Sequence, residues 1–327
     1  MGESARYTYR LRMSAAAQQA LLAEWDRCRW IWNECVAQSR IAHRAQRDCG
    51  PAMLDLMLTG WRAEHEWLRA GASVPQQQTI RDFGLSRAKA LKDMRARLPI
   101  SKRAGMPRFK LKHHALPTLN YTRRGFRLDG TNLFLAKAIC VRPVWSRQLP
   151  CRPSSVRVYR DSLGHWYASF VVDATPQSLP PTGKAVGVDW GVAQLATTTS
   201  AAHDLSHPEH GRRGAARLVR YQRMMARRRR GRGVPASSGY SQARRLAARQ
   251  HKKVTRQRRD TACKWAKTMV RDFDLIAAED FRPKFLAKST MARKAADAAI
   301  GITKAALIEA GRKHARRVVL VDPKYTT

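Results

Sequence analysis

The stretch GVDWGVAQLATTTS, residues 187–200, decides how this chain is to be read. Together with Ala185 and Val186 it forms a short apolar run carrying one carboxylate, Asp189, between Gly187 and Gly191. A second β-prone run, Leu195 to Thr199, follows at once. A carboxylate set into an apolar strand is costly unless something positive pairs with it. DLIAAEDF, residues 274–281, poses the same problem, because an apolar strand there runs into Glu279 and Asp280. Asp189 and Glu279 lie 90 residues apart, but adjacent strands of one sheet would bring them together. Mg²⁺ answers the charge problem: it binds through one or two carboxylates and fills its shell with water and phosphate oxygens. Two such ions about 4 Å apart activate a water and stabilise the leaving oxygen of a phosphodiester. The same residues also admit a structural reading, with Asp189 capping a turn beside Gly191 and Glu279-Asp280 capping the helix that follows.

Working outward, the chain is strongly basic: 63 Lys+Arg against 24 Asp+Glu give a formal net charge of +39, which points to a polyanionic partner. The excess is concentrated, since residues 211–260 hold 18 Lys/Arg and a single acid, Asp260. Arg220, Arg223, Arg227, Arg228, Arg229 and Arg230, then Arg244, Arg245, Lys252, Lys253 and Arg256, read as phosphate contacts that add affinity without sequence information. Charge alone fits an enzyme and a structural RNA binder equally well. A hydrophobic fraction of 44% with nine Trp supports packed cores and excludes a disordered basic tail. No apolar run reaches the eighteen or so residues of a membrane span, and Met1 to Arg6 has no apolar signal core, so a cytoplasmic location is expected. The six cysteines form no C-x-x-C pair, which leaves reduced, mostly buried thiols as the expected state.

Periodicity divides the chain. Residues 6–13 alternate as a strand. A helix is expected from the N-cap Ser14, with Leu21, Trp25, Cys28, Trp32, Cys35 and Ser39 on one stripe and a stop at Gly50-Pro51. A second helix runs from Leu54 to Leu68 and is stopped by residues 71–75; a third runs from Ile80 to Leu98. From Pro117 to Asp173 the period becomes two. Asp129-Gly130 turns one hairpin (126–135) and Asp161 to Gly164 another (155–173), giving an antiparallel sheet or small barrel. Residues 180–183 read as a linker. Beyond it come strands at 184–190 and 195–199, a basic helical stretch broken at 231–235, a strand at 273–278, a helix at about 296–313 and a strand at 317–322, as expected for an α/β domain around one sheet.

Other signals in the sequence are smaller. His203, His207 and His210 have metal-compatible spacing, but Pro208 and the polar surroundings favour a solvated loop. Trp25, Trp32 and Trp61 fall on apolar stripes and read as core, whereas Trp30 is off-stripe. Gln76, Gln77 and Gln78 could offer amides to base edges, as a weak flanking-motif readout. In PRFKLKHH, 107–114, Arg108, Lys110 and Lys112 alternate with Phe109 and Leu111, as suits a strand-like segment lying on a nucleic-acid backbone.

The order of these motifs resembles a known family. GVDWGV followed by LATTT is similar to the first motif of RuvC-like nucleases, LIAAEDF to the second, and VLVDPKYTT (319–327) to the strand that precedes the family's zinc ribbon. With YTYRL near the start, GMPRFK at 105–110, the hairpin sheet and the Arg-rich helices, the whole chain resembles TnpB proteins of insertion sequences and the compact type V CRISPR effectors. The resemblance implies an α+β multidomain fold: a wedge β-barrel (1–14 and 116–180), a helical recognition domain inserted in it (15–115), and an RNase H-like RuvC nuclease domain (181–327). It implies an Mg²⁺-dependent, RNA-guided DNA endonuclease with a guide RNA and target double-stranded DNA as partners and no membrane. Asp189 and Glu279 would be the catalytic metal ligands, with Asp280 a structural neighbour. The family's third catalytic Asp and its four-cysteine Zn²⁺ ribbon match nothing within these 327 residues, so two of three carboxylates are expected here, and Zn²⁺ only with a ribbon beyond them. Guided DNA binding without cleavage is the alternative. An unguided RuvC-like junction nuclease is a third reading, one that leaves the helical and wedge blocks without a purpose.

Overall fold

The computed structural model describes residues 4–112, 114–173, 175–231, 233–281 and 290–325. Position 113 of the PRFKLKHH segment, position 232 of the helix break and the final 326–327 lie outside the described residues. The chain divides into two compact units, Met1–Ala174 and Thr175–Thr327.

In the first unit, β1 (Ser4–Arg12) is followed by four helices, α1 (Ala15–Arg44), α2 (Pro51–Glu64), α3 (Glu66–Arg69) and α4 (Ser73–Arg95), and then by β2 (Thr118–Thr122), β3 (Phe126–Asp129), β4 (Asn132–Leu135), β5 (Ile139–Pro143), β6 (Ser155–Arg160) and β7 (Trp166–Asp173). The strands form one seven-stranded sheet in the order β2-β6-β7-β1-β5-β4-β3, every pair antiparallel. The chain therefore returns to the sheet of its first strand after the helices. The β3–β4 hairpin turns where expected, with Gly130 at φ +55°, a conformation that costs a glycine little.

Three helix boundaries differ from the sequence reading, one of them a break at His65 that divides the expected second helix into α2 and α3. α1 starts as expected, with the Ser14 hydroxyl accepting from the Ala17 N–H at 3.1 Å, but it stops at Arg44, and Pro51 opens α2 instead of closing α1. α4 begins at Ser73 and runs straight through Pro75, because first-turn N–H groups have no intrahelical partner for proline to remove. Its N-terminus borrows a cap: the buried Glu24 carboxylate accepts from the Ala72 N–H at 3.1 Å and pairs with Arg27 at 2.8 Å. Ile31 joins the α1 stripe, and Trp30 packs edge-on against Trp61, His65 and Trp67 at 5.4–5.7 Å. Cys28, Cys35 and Cys49 are buried free thiols, with burial pushing Cys28 and Cys35 up to about 12, while Cys140, Cys151 and Cys263 are exposed. The expectation of mostly buried thiols thus holds for half of them.

In the second unit, β8 (Ala185–Trp190), β9 (Gln194–Thr198), β10 (Leu205–Ser206), α5 (His210–Arg227), α6 (Ser238–Asp272), β11 (Leu275–Glu279), α7 (Ala292–Ala298), α8 (Ile300–Lys313) and β12 (Arg317–Val321) build a five-stranded sheet in the order β10-β9-β8-β11-β12. β8, β9 and β10 pair antiparallel, whereas β8, β11 and β12 run parallel. The helix expected at 296–313 is two helices, broken at Ala299, which takes φ +57°. Val186, Val188, Trp190, Ile276 and Ala278 pack into one core with Trp265, Met269 and Val270 of α6 and Leu307 of α8. Each large buried apolar side chain there is worth about 1.5–3 kcal/mol. The N-terminal ends of the parallel strands are stapled. The Asp274 carboxylate accepts from the Thr182 and Gly183 N–H groups at 2.9 and 2.8 Å, and Arg316 donates to it and to the carbonyls of Val270 and Pro180. No helix among the described residues is long and apolar enough to cross a membrane.

Candidate functional site

The parallel register decides where the two carboxylates lie. β8 and β11 pair Ile276 with Val186 and Ala278 with Val188, so the next step sets Glu279 opposite Asp189 at the C-terminal ends of neighbouring strands. Adjacent strands are about 4.8 Å apart. Alternation puts Val186, Val188, Ile276 and Ala278 on the helix-covered face, and Asp189 and Glu279 together on the other. Their environments differ. Glu279 is buried at 8% exposure, whereas Asp189 is exposed, which corrects the expectation of a buried aspartate. The reason is local: β8 ends one residue later, and Gly191 turns so tightly that a Cβ there would lie 2.5 Å from the Gln194 carbonyl oxygen.

The Asp189 carboxylate has no hydrogen-bond or ion-pair partner among the described residues, although its backbone lies in the β8–β9 ladder opposite Thr197. The capping role beside Gly191 is therefore not what its side chain performs. Asp280 points to the helix-covered face, where Lys304 of α8 reaches its Oδ1 at 2.7 Å. The Trp190 indole N–H donates to the Glu279 carbonyl oxygen at 2.9 Å, and its ring meets Trp265 edge-on at 5.9 Å. Two carboxylates on one sheet face at the strands' C-terminal ends, one of them unneutralised, are a hard-oxygen donor set that fits a divalent cation such as Mg²⁺. Among the described residues no group of three or more His, Cys, Asp or Glu side chains is arranged to hold a metal ion.

The histidines do not converge. His203 bridges Ser200 and Asp272, His207 meets the Glu209 N–H and His210 meets Thr261, each holding the loop and the start of α5 in place.

The basic residues are carried by α5 and α6, which pack together. Gly214 of α5 approaches α6 so closely that a Cβ would fall 2.4 Å from the Gln250 amide. With Ala243 and Ala247 buried, Arg220, Arg223, Arg227, Arg228, Arg229, Arg230, Arg244, Arg245, Lys253 and Arg256 are exposed and Lys252 is half-buried. α5 has no side-chain cap of its own. Asp297 of α7 supplies one, its two oxygens accepting from the Gly211 and Arg212 N–H groups at 2.6 and 2.8 Å and from Arg258 of α6 at 2.8 Å. Burial raises the Asp297 carboxyl, but the Arg258 bond and the two backbone N–H groups outweigh it and hold it below the usual range. Sequence reasoning missed Asp297, because nothing local marks an acid that caps a helix 86 residues earlier.

Two expected contacts need correction. Gln76 is fully buried: its oxygen accepts from Arg62 and its amide donates to the Leu68 carbonyl at 2.9 Å, so it offers nothing to a base. Gln77 and Gln78 do line an open cleft of about 680 Å³ with Arg62, Arg81 and Asp55. Residues 107–112 form no strand. They are strapped to α1, the Trp32 indole donating to the Arg108 carbonyl and Asn33 pairing with both backbone groups of Lys110. Arg108 and Lys112 are exposed, whereas the Lys110 ammonium lies over the rings of Trp32 (3.5 Å) and Trp25 (5.4 Å), and burial pulls it down to about 8.

Comparison with known proteins gives concordant likenesses. The family model described as "OrfB_IS605: Probable transposase" matches residues 169–290. A Streptomyces pristinaespiralis protein named "Putative RNA-guided DNA endonuclease" is 30% identical over 301 residues, which cover 90% of this chain and 71% of that protein. "Putative RNA-guided DNA endonuclease InsQ" of Escherichia coli (strain K12) is 28% identical over 269 residues, 80% of this chain and 62% of the relative. In fold, the chain resembles that of a cryo-EM structure of a Cas12f1–sgRNA–target DNA complex, with a TM-score of 0.55 at 12% identity, over 99% of this chain and 90% of the other.

Proposed function

The chain belongs to the TnpB family, with the compact type V effectors, and from that premise we propose that it is an RNA-guided DNA endonuclease in which Asp189 and Glu279 hold the catalytic metal. The observation that carries this reading is the register that sets the two carboxylates side by side on one sheet face, with Asp189 unpartnered among the described residues. The strand order β10-β9-β8-β11-β12, three antiparallel then two parallel, is what an RNase H-like RuvC domain at 181–327 requires. Residues 1–14 and 116–180 then form the wedge domain and 15–115 the recognition domain.

Guide RNA supplies sequence by pairing with one strand of double-stranded target DNA, while the protein holds the heteroduplex by its backbone and reads a short flanking motif. The exposed arginines of α5 and α6 bind phosphate, and Gln77 and Gln78 are the readout residues left after Gln76 is set aside. Bound Mg²⁺ supplies the positive charge that activates a water and stabilises the leaving oxygen in line. Asp189 and Glu279 fix that charge at the strand ends, and Asp280, paired with Lys304, takes no part. Zn²⁺ would enter only with a cysteine ribbon, which the six cysteines of this chain, without a C-x-x-C pair, do not supply; the chain spans 71% and 62% of the two relatives' lengths.

The test uses the chain purified with its guide RNA. Mg²⁺-dependent cleavage of matched DNA is expected, and Asp189→Ala or Glu279→Ala should each lower it at least about a hundredfold while target binding is retained. Full cleavage by both variants would refute the assignment. Guided binding without cleavage by the unaltered chain would identify the alternative, a protein acting by target occupancy.

A further inference from the structure

The ladder between β8 and β11 stops one residue short of the carboxylates. Ala278 pairs with Val188, and beyond that step β8 stays paired only with β9, Asp189 with Thr197 and Trp190 with Ala196, before the Gly191 N–H turns back to the Leu195 carbonyl at 3.3 Å. The main-chain pairing of β8 with β11 thus ends before Glu279, which pairs on its other side with Val321 of β12. The Trp190 indole spans that step: its N–H reaches the Glu279 carbonyl oxygen at 2.9 Å, and the bond is buried, with Trp190 4% exposed. Because Trp190 directly follows Asp189, a single side chain ties the backbone of one carboxylate to the backbone of the other. The ring lies in the core on the helix-covered face, edge-on to Trp265 at 5.9 Å.

We propose that Trp190 is the positioning residue of the carboxylate pair, its indole N–H setting the separation of Asp189 and Glu279 where backbone pairing has ended. This rests on the reading of the two carboxylates as metal ligands. It touches neither metal nor substrate, and acts only through the Glu279 peptide. Groups that orient metal ligands from behind typically change metal affinity 10–100-fold when lost.

The experiment is Mn²⁺ binding, followed by electron paramagnetic resonance, to the full chain in complex with its guide RNA. The metal requirement of cleavage and the melting temperature are measured in parallel. Trp190→Phe keeps an aromatic ring against Trp265 and removes the donor. Replacement of Trp190 by benzothienylalanine removes only the N–H and keeps the indole's shape, so the question stays open to measurement even if Phe misfolds. Trp265→Phe is the control, losing an indole-to-carbonyl bond of the same kind in the same core. Both donor-less Trp190 variants should bind Mn²⁺ roughly tenfold more weakly and need correspondingly more Mg²⁺ for cleavage. Trp265→Phe should lower the melting temperature without changing Mn²⁺ affinity. Parental Mn²⁺ affinity in the Trp190 variants, with binding lost in Asp189→Ala, overturns the positioning role alone. Parental affinity in Asp189→Ala and Glu279→Ala as well overturns the metal assignment, and the positioning role with it.

Discussion

Lys110 shows how one side chain can be misjudged from its neighbours in sequence. In an alternating basic segment it reads as a phosphate contact, yet its ammonium lies over Trp32 and Trp25, with its backbone fastened to Asn33. Burial lowers its folded-state value to about 8, whereas an unfolded lysine keeps its proton to roughly 10.4. Between those values the unfolded chain binds the extra proton, so this residue's contribution to stability rises with pH across that window and is most unfavourable below 8. Lys110→Met, which keeps the stem and drops the charge, should therefore gain more in melting temperature at pH 7 than at pH 10. A gain independent of pH, read by circular dichroism, would mean that the ammonium is not desolvated. Asp189 is the opposite case, since its residue type and glycine bracket marked it in the sequence while its exposure did not. That exposure depends on where β8 ends, which the turn at Gly191 decides.

At the scale of elements, two helices begin on acids borrowed from elsewhere, α4 on Glu24 and α5 on Asp297. Removing Asp297 leaves Arg258 half-buried without its partner and two N–H groups uncapped. Asp297→Ala should cost about 3 kcal/mol in urea unfolding, and hydrogen exchange should quicken most in the first turn of α5. Asp297→Asn keeps an acceptor and should cost less. Equal exchange in both variants and the parent would show that α5 holds itself in place. Such borrowed caps were illegible in the sequence, because a local pattern carries no record of a partner 48 or 86 residues away. What was legible was whatever has a period or a turn residue. The DG hairpin, the β8 and β9 runs and the Ser14 start of α1 came out within a residue or two. The Gly71–Pro75 stop did not, because a proline in the first turn of a helix looks the same as one that ends it.

For the whole molecule, a charge of +39 makes nucleic-acid affinity a function of salt. The exposed arginines on α5 and α6 predict a steep loss of affinity for RNA as salt rises. Replacing Arg220, Arg223, Arg244 and Arg245 by Gln should flatten the slope of log K against log salt by roughly 0.7–0.9 for each residue that meets a phosphate. An unchanged slope in filter binding would mean that these helices are a solvated face. The same unit holds a quieter dependence, at the end of the sheet far from its acids. Asp274, Arg316 and the two peptide N–H groups at 182 and 183 fasten β8, β11 and the approaching chain at a common origin, and every position along the two strands is measured from there. A displacement by a single residue would pair Asp280 with Asp189 and turn every β11 side chain to the opposite face, leaving Glu279 beside Val188 on the apolar side and facing no acid at all. The spacing of the two carboxylates is thus calibrated from the far end of their strands, by groups that need never meet a nucleotide.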